Sequence, residues 1–176
     1  MRFKKTLAAG AVAIAVATVF PAMAATTADT TVTFAVTATD GLNISAPTDA
    51  TLSSAAPGNN ATGPLGTVTV NDQRSQLNST WTATASLPTA FTTGGGTANE
   101  TIGGGNVTYA PGTEINPVNG PFTAGATGTL ASARTAFSRT SGSGDNSVSW
   151  NPTLTVAVPA SNVSGTYTGT VRHSVA

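Results

Sequence analysis

The stretch SVSWNPTLTVAV, residues 147–158, decides how this chain folds. Val148 and Trp150 alternate with serines, and Leu154, Val156 and Val158 resume the same spacing after Asn151 and Pro152. Successive side chains of a strand point to opposite faces, so a period of two marks a β-strand with one apolar face and one polar face. Proline brings no N–H to a ladder. The pair Asn151–Pro152 therefore predicts a bulge or an edge between two strand halves, with Trp150 turned inward beside it.

The same period extends in both directions. Residues 166–175, TYTGTVRHSV, place Tyr167, Val171, His173 and Val175 on one face. That spacing predicts a last strand, antiparallel to 153–158 across a turn at 159–165. Upstream, TVTFAVTAT at 31–39 sets Val32, Phe34, Val36 and Ala38 against threonines, which reads as a half-buried strand. Asp40–Gly41 follows it, a pair favoured in tight hairpins, and Leu42, Ile44 and Ala46 continue the alternation. Further strands are expected at 66–70, at 81–86 with Trp81, Ala83 and Ala85 on one side, and near 106–109 and 129–132. Residues 47–65 read as a loop with at most one short strand near Leu52, and 71–79 as a polar turn. Glycine and proline punctuate the middle of the chain at 92–105 and 111–121. About eight short strands joined by such turns predict an all-β fold, an antiparallel β-sandwich with Greek-key-like connections, with a barrel as the alternative.

Composition bounds what such a fold can do. Residues 1–24 carry Arg2, Lys4 and Lys5, then an apolar run from Leu7 to Phe20, then Ala22-Met23-Ala24. That order predicts a secretory signal peptide, which makes the protein secreted and leaves 25–176 as one domain. The apolar run falls short of the roughly 20 residues a membrane helix needs, so no membrane anchor is expected in the mature chain. From Ala25 onward four arginines face seven acids, a net charge of −3, and no lysine remains. A basic footprint for nucleic acid is excluded. The chain has no cysteine, which rules out disulfides, thiolate zinc sites and thiol nucleophiles. Threonine fills 32 of the 152 residues from Ala25, a content that suggests a disordered stalk. The ordered alternation of the apolar residues argues for a packed sheet instead.

Little in the chain points to catalysis, and no cofactor or metal is expected. His173, the single histidine, alternates with Val171 and Val175 and reads as a strand residue. No G-x-S-x-G elbow presents a serine to it. The seven acids all fall in expected turns, loops or flexible ends, where a pair of facing carboxylates is not held rigidly. Glycines 94–96 and 103–105 are followed by neither a lysine nor a helix, so they do not form a phosphate loop. Aromatic faces stack on sugar rings, which makes Trp81, Trp150 and Tyr167 the candidate ligand-binding residues. Core packing is the competing use of each.

Four segments together resemble the WxL-domain family of Gram-positive cell-surface proteins: TVTFAVTATDGLNIS, LGTVTVNDQRSQLNSTWTATAS, SWNPTLTVAVPAS and GTYTGTVRHSVA. In that family a polar turn with Asp and Arg leads to the first W-x-L, and here Asp72 and Arg74 precede Trp81-Thr82-Ala83. A Gly-Thr-Tyr strand leads to the second, and here Gly165-Thr166-Tyr167 leads to His173-Ser174-Val175. Alanine thus stands for the first Leu, and His and Val for the second Trp and Leu. The resemblance implies a secreted, non-enzymatic surface protein held non-covalently to peptidoglycan or to companion cell-surface proteins, and it adds His173 to the candidate binding residues. A second expectation comes from the residues themselves. The alternating segment 31–39 has the pattern of a donor strand, as in a structural, pilus-like subunit.

Overall fold

A computed structural model describes residues 27–176, so the expected signal peptide at 1–24 lies outside the described residues. The chain divides into Met1–Ala35 and Val36–Ala176, and every described strand belongs to the second unit. Thirteen strands follow in order: β1 (Leu42–Ser45), β2 (Asn60–Pro64), β3 (Val68–Asp72), β4 (Trp81–Thr92), β5 (Thr101–Ile102), β6 (Val107–Ala110), β7 (Glu114–Val118), β8 (Thr123–Ala124), β9 (Gly128–Thr129), β10 (Arg134–Arg139), β11 (Asn146–Trp150), β12 (Thr153–Ala157) and β13 (Thr168–Val175). Single turns of 3-10 helix at Ala98–Glu100 and Gly104–Asn106 flank β5.

All ladders are antiparallel, and they run β1-β3-β11-β7, β2-β12-β6-β9 and β13-β4-β10-β8, with β5 added beside β4. The first two behave as one layer. β11 and β12 are the two halves of the decisive stretch, broken at Asn151–Pro152 as expected. β2 and β3 are broken opposite them, and the Leu65 N–H bonds to the Pro152 carbonyl at 2.9 Å across the break. The third sheet faces this layer, and the molecule is a β-sandwich.

Alternation produces the core. Val68, Val70, Val148, Trp150, Leu154 and Val156 turn inward from one layer. Trp81, Ala83, Ala85, Ala136 and Phe137 turn inward from the other. On β10 two consecutive residues, Ala136 and Phe137, are both buried because the register with β4 shifts between Thr135 and Phe137. Two residues of a bulged strand then share the space of one, so the period slips and both side chains point in. The Trp150 ring lies 4.8 Å from that of Phe137, stacked across the two layers.

Three expectations are corrected. Residues 31–39 form no strand, and Asp40–Gly41 makes no hairpin: the Asp40 carboxylate accepts from the Gly41 N–H at 2.8 Å just ahead of β1. The last strand does not pair with 153–158. β13 pairs with β4, with His173 opposite Ala85 and Val175 opposite Ala83, and β12 lies between β2 and β6. Third, residues 81–86 are only half of a strand that runs to Thr92. Pro88 is accommodated where the β4–β13 register shifts, between Thr89 and Ser86.

Trp150→Ala would remove the largest fully buried side chain and its stack on Phe137. The expected loss is roughly 3–5 kcal/mol, as for large-to-small aromatic changes in cores. Chemical denaturation of the variant measures it, and an unchanged midpoint would contradict this packing.

Candidate functional site

Two of the four candidate binding residues are core residues. Trp81 is 3% exposed and Trp150 is 0% exposed, so neither ring has a face free to stack on a sugar. Correcting those two assignments also explains the polar residues around them, because a buried indole needs an acceptor for its N–H. Trp81 Nε1 donates to Asn146 Oδ1 at 2.8 Å, and Asn146 Nδ2 donates to Asp72 Oδ2 at 3.0 Å. Asp72, fully buried, accepts Nε and Nη2 of Arg74 at 2.8 and 2.9 Å. Hydrogen bonds from Arg74 hold the Asp72 carboxyl below the usual carboxylate range, against the opposing effect of burial. The Asp–Arg turn and the first motif position are thus one connected network, with Asn146 on β11 as the link that the sequence alone does not reveal. A buried cation, Arg139, gathers backbone carbonyls instead of an acid. Its guanidinium donates to the carbonyls of Ser79, Asn119 and Ser143 and to the Ser79 hydroxyl, tying three loops together.

Trp150 begins a second chain. Its Nε1 donates to the Tyr109 hydroxyl at 3.0 Å, and that hydroxyl lies 3.0 Å from His173 Nε2. An indole N–H only donates, so the tyrosine oxygen accepts it and the phenol proton is free to go to His173. With His173 neutral and its proton on Nδ1, Nε2 accepts from the phenol. Burial pushes its pKa down to about 4 and that of Tyr109 up to about 12. The only histidine therefore spends Nε2 on fixing β6 of one layer to β13 of the other.

The two motif positions meet. Trp81-Thr82-Ala83 on β4 and His173-Ser174-Val175 on β13 lie on adjacent strands, with Ala83 opposite Val175.

Tyr167 borders an open groove. It is half-buried, and its hydroxyl donates to the Val163 carbonyl at 2.9 Å while accepting from Asn162 Nδ2 at 3.2 Å. The ring lines a groove of about 830 Å³. Leu52 and Val158 contribute from one side, Phe91 and Ile102 from the other. Gly169 is the close approach that shapes this end of β13, since a Cβ there would lie 2.9 Å from the Phe91 ring. No lining residue is charged, and lining carbonyls and hydroxyls are the polar groups available. Phe91 is not legible in the sequence, because Pro88 and Thr89 interrupt the series Trp81, Ala83, Ala85, Leu87 before it. Among the described residues no three His, Cys, Asp or Glu side chains gather as a metal site.

The second open feature is the segment before β1. Val32, Phe34 and Val36 are 79, 82 and 80% exposed. Among the described residues no backbone–backbone hydrogen bond reaches 27–40. The chain matches no family model, no curated protein and no solved structure.

Stability should follow the His173 proton. Its folded pKa, about 4, lies below its ordinary 6.5, so the unfolded chain takes up the proton first as pH falls. The contribution is complete above pH 6.5 and declines towards pH 4. His173→Gln should flatten melting temperature against pH in that window. It should keep the further loss below the ordinary Asp72 value of 3.8, where that carboxylate becomes protonated. Thermal melts from pH 3 to pH 8 read both effects.

Proposed function

We propose that this protein is an exported, non-enzymatic surface component that associates non-covalently with other surface components by lending them a β-strand. The observation that carries this reading is the segment 31–39. Its apolar residues alternate with threonine and alanine, and three of them stand about four-fifths exposed in a protein that buries valine and tryptophan fully elsewhere. Contiguous exposed apolar surface marks an interaction site, and an alternating segment offers both a ladder of backbone groups and one apolar face. The charged start, apolar run and Ala22-Met23-Ala24 site of residues 1–24 support export. A non-enzymatic role is favoured by the use of His173 Nε2 as a structural acceptor.

The resemblance to WxL domains directs the same association to a Gram-positive wall. With both tryptophans in the core, companion surface proteins are a better fit than glycan as the partner. An added strand needs a protein edge with backbone groups to pair.

Mature protein and a Val32→Ser/Phe34→Ser/Val36→Ser variant should be sedimented separately with protein-bearing cell envelopes and with purified peptidoglycan. The expected result is binding to envelopes, weakened at least about a hundredfold in the variant, since three buried apolar side chains contribute roughly 1.5–3 kcal/mol each. The three side chains are exposed, so the melting temperature should not change. Equal envelope binding by both proteins would refute strand lending. Binding to bare peptidoglycan alone would favour a glycan partner.

A further inference from the structure

We infer that the strand acceptor is the Tyr167 groove, together with the open edge of β13, and that its occupant is segment 31–39 of a second copy of this chain. This rests on the strand-lending reading and adds to it the partner and the place.

The acceptor has an unsatisfied edge. β13 is the last strand of its sheet and pairs only with β4, so along Thr168–Val175 one side of the backbone has no strand hydrogen-bonded to it among the described residues, although β1 packs nearby. Across the groove, the outer side of β2 is already occupied, because Ser53 bonds to the Thr62 carbonyl at 2.9 Å. Of the two strand edges that border the groove, only that of β13 is open to an added strand. A free edge eight residues long is a liability that proteins cover, bend or charge. Here Arg172 is the single charge on it.

The acceptor also has an unfilled apolar seam. Tyr167 and the start of β13, with Phe91, Leu52 and Val158 around the groove, are packed against the core yet remain partly exposed, and Val171 and Val175 continue the half-buried face further along, near β1. A strand laid beside β13 would point every second side chain into that seam. Side chains on one face recur about every 6.6–6.8 Å, so Val32, Phe34, Val36 and Ala38 form a row with the same repeat as Tyr167, Gly169, Val171 and His173. Nine residues span about 30 Å and the eight of β13 about 26 Å, so the lengths correspond.

Charge selects the same occupant. The groove lining and segment 31–39 are both uncharged, so docking leaves no ion desolvated and unpaired. An anionic glycan or a phosphate would find no cation in the groove. The segment's other face, with Thr31, Thr33, Thr37 and Thr39, would continue the exposed Thr168, Thr170 and Ser174 face of β13. Each copy then carries one donor and one acceptor that are different surfaces. Such a contact is heterologous, and it extends into a head-to-tail chain unless a ring closes.

The chain has no cysteine, which makes thiol placement a clean test. Mature Phe34→Cys protein is mixed with mature Val158→Cys protein, Val158 being in the groove, and oxidised mildly. The control partner is Val118→Cys, which is exposed on β7 and outside the groove. The Phe34–Val158 disulfide between chains should exceed the control by roughly a hundredfold, because docking holds the two thiols at an effective concentration in the millimolar range. Adding Val32→Ser and Val36→Ser to the donor should abolish the excess, and light scattering of unmodified protein should show a ladder that grows with concentration. A Phe34→Cys/Val158→Cys double variant that oxidises only within one chain, in a protein that stays monomeric, would overturn the second copy as occupant. Equal yields at Val158 and Val118 would overturn the groove. If envelope binding still depends on Val32, Phe34 and Val36 while either of these results holds, strand lending stands and only the groove and the second copy fall.

Discussion

The indole of Trp150 is the contact on which the rest of the sandwich depends. It stacks on Phe137 of the facing layer at 4.8 Å, and its N–H passes through the Tyr109 hydroxyl to His173 of β13. The remaining core is made largely of valine and alanine, small side chains that fill space without fixing how two sheets sit on each other. With no disulfide available, registry between the layers rests on a few large groups of defined shape and on buried hydrogen bonds. An aromatic stack contributes beyond its buried area, and a buried polar chain is costly to break once its members are desolvated. Asp72, Arg74, Asn146 and Trp81 do the same work at the other end of β3 and β11.

Those requirements set the fate of the candidate binding residues. A tryptophan needed to hold two layers together cannot also offer its face to a ligand. A histidine hydrogen-bonded to a buried phenol and kept neutral by burial is occupied. What is left for recognition is the surface that the core leaves unfinished: the half-buried apolar seam beside β13 and the exposed row Val32, Phe34, Val36. Both are uncharged and alternate with threonine, so they suit a backbone ladder better than an ionic ligand.

Several elements were legible because they obey a local rule. The period of two in β11 and β12, the break at Asn151–Pro152 and the inward Trp150 follow from side-chain direction and from proline's missing N–H, and neither depends on the rest of the chain. Other elements were not. β10 was overlooked because its bulge buries Ala136 and Phe137 together and erases the alternation. The second half of β4 was overlooked because a register shift accommodates Pro88. The groove drew only Tyr167 from sequence, since Leu52, Phe91 and Val158 lie far apart along the chain and meet only through the sheet order.

The sequence by itself determined that the chain folds as antiparallel sheet, which face of each clear strand is apolar, and that neither cysteine chemistry nor a basic surface is available. Only the tertiary structure decided which strands are neighbours. The alternation of β13 is satisfied equally well beside β12 or beside β4, because period two specifies a face and not a partner. Likewise the pattern of residues 31–39 is that of a strand, but a strand forms only where a ladder receives it. The fold fills its ladders without that segment and leaves its apolar side chains uncovered.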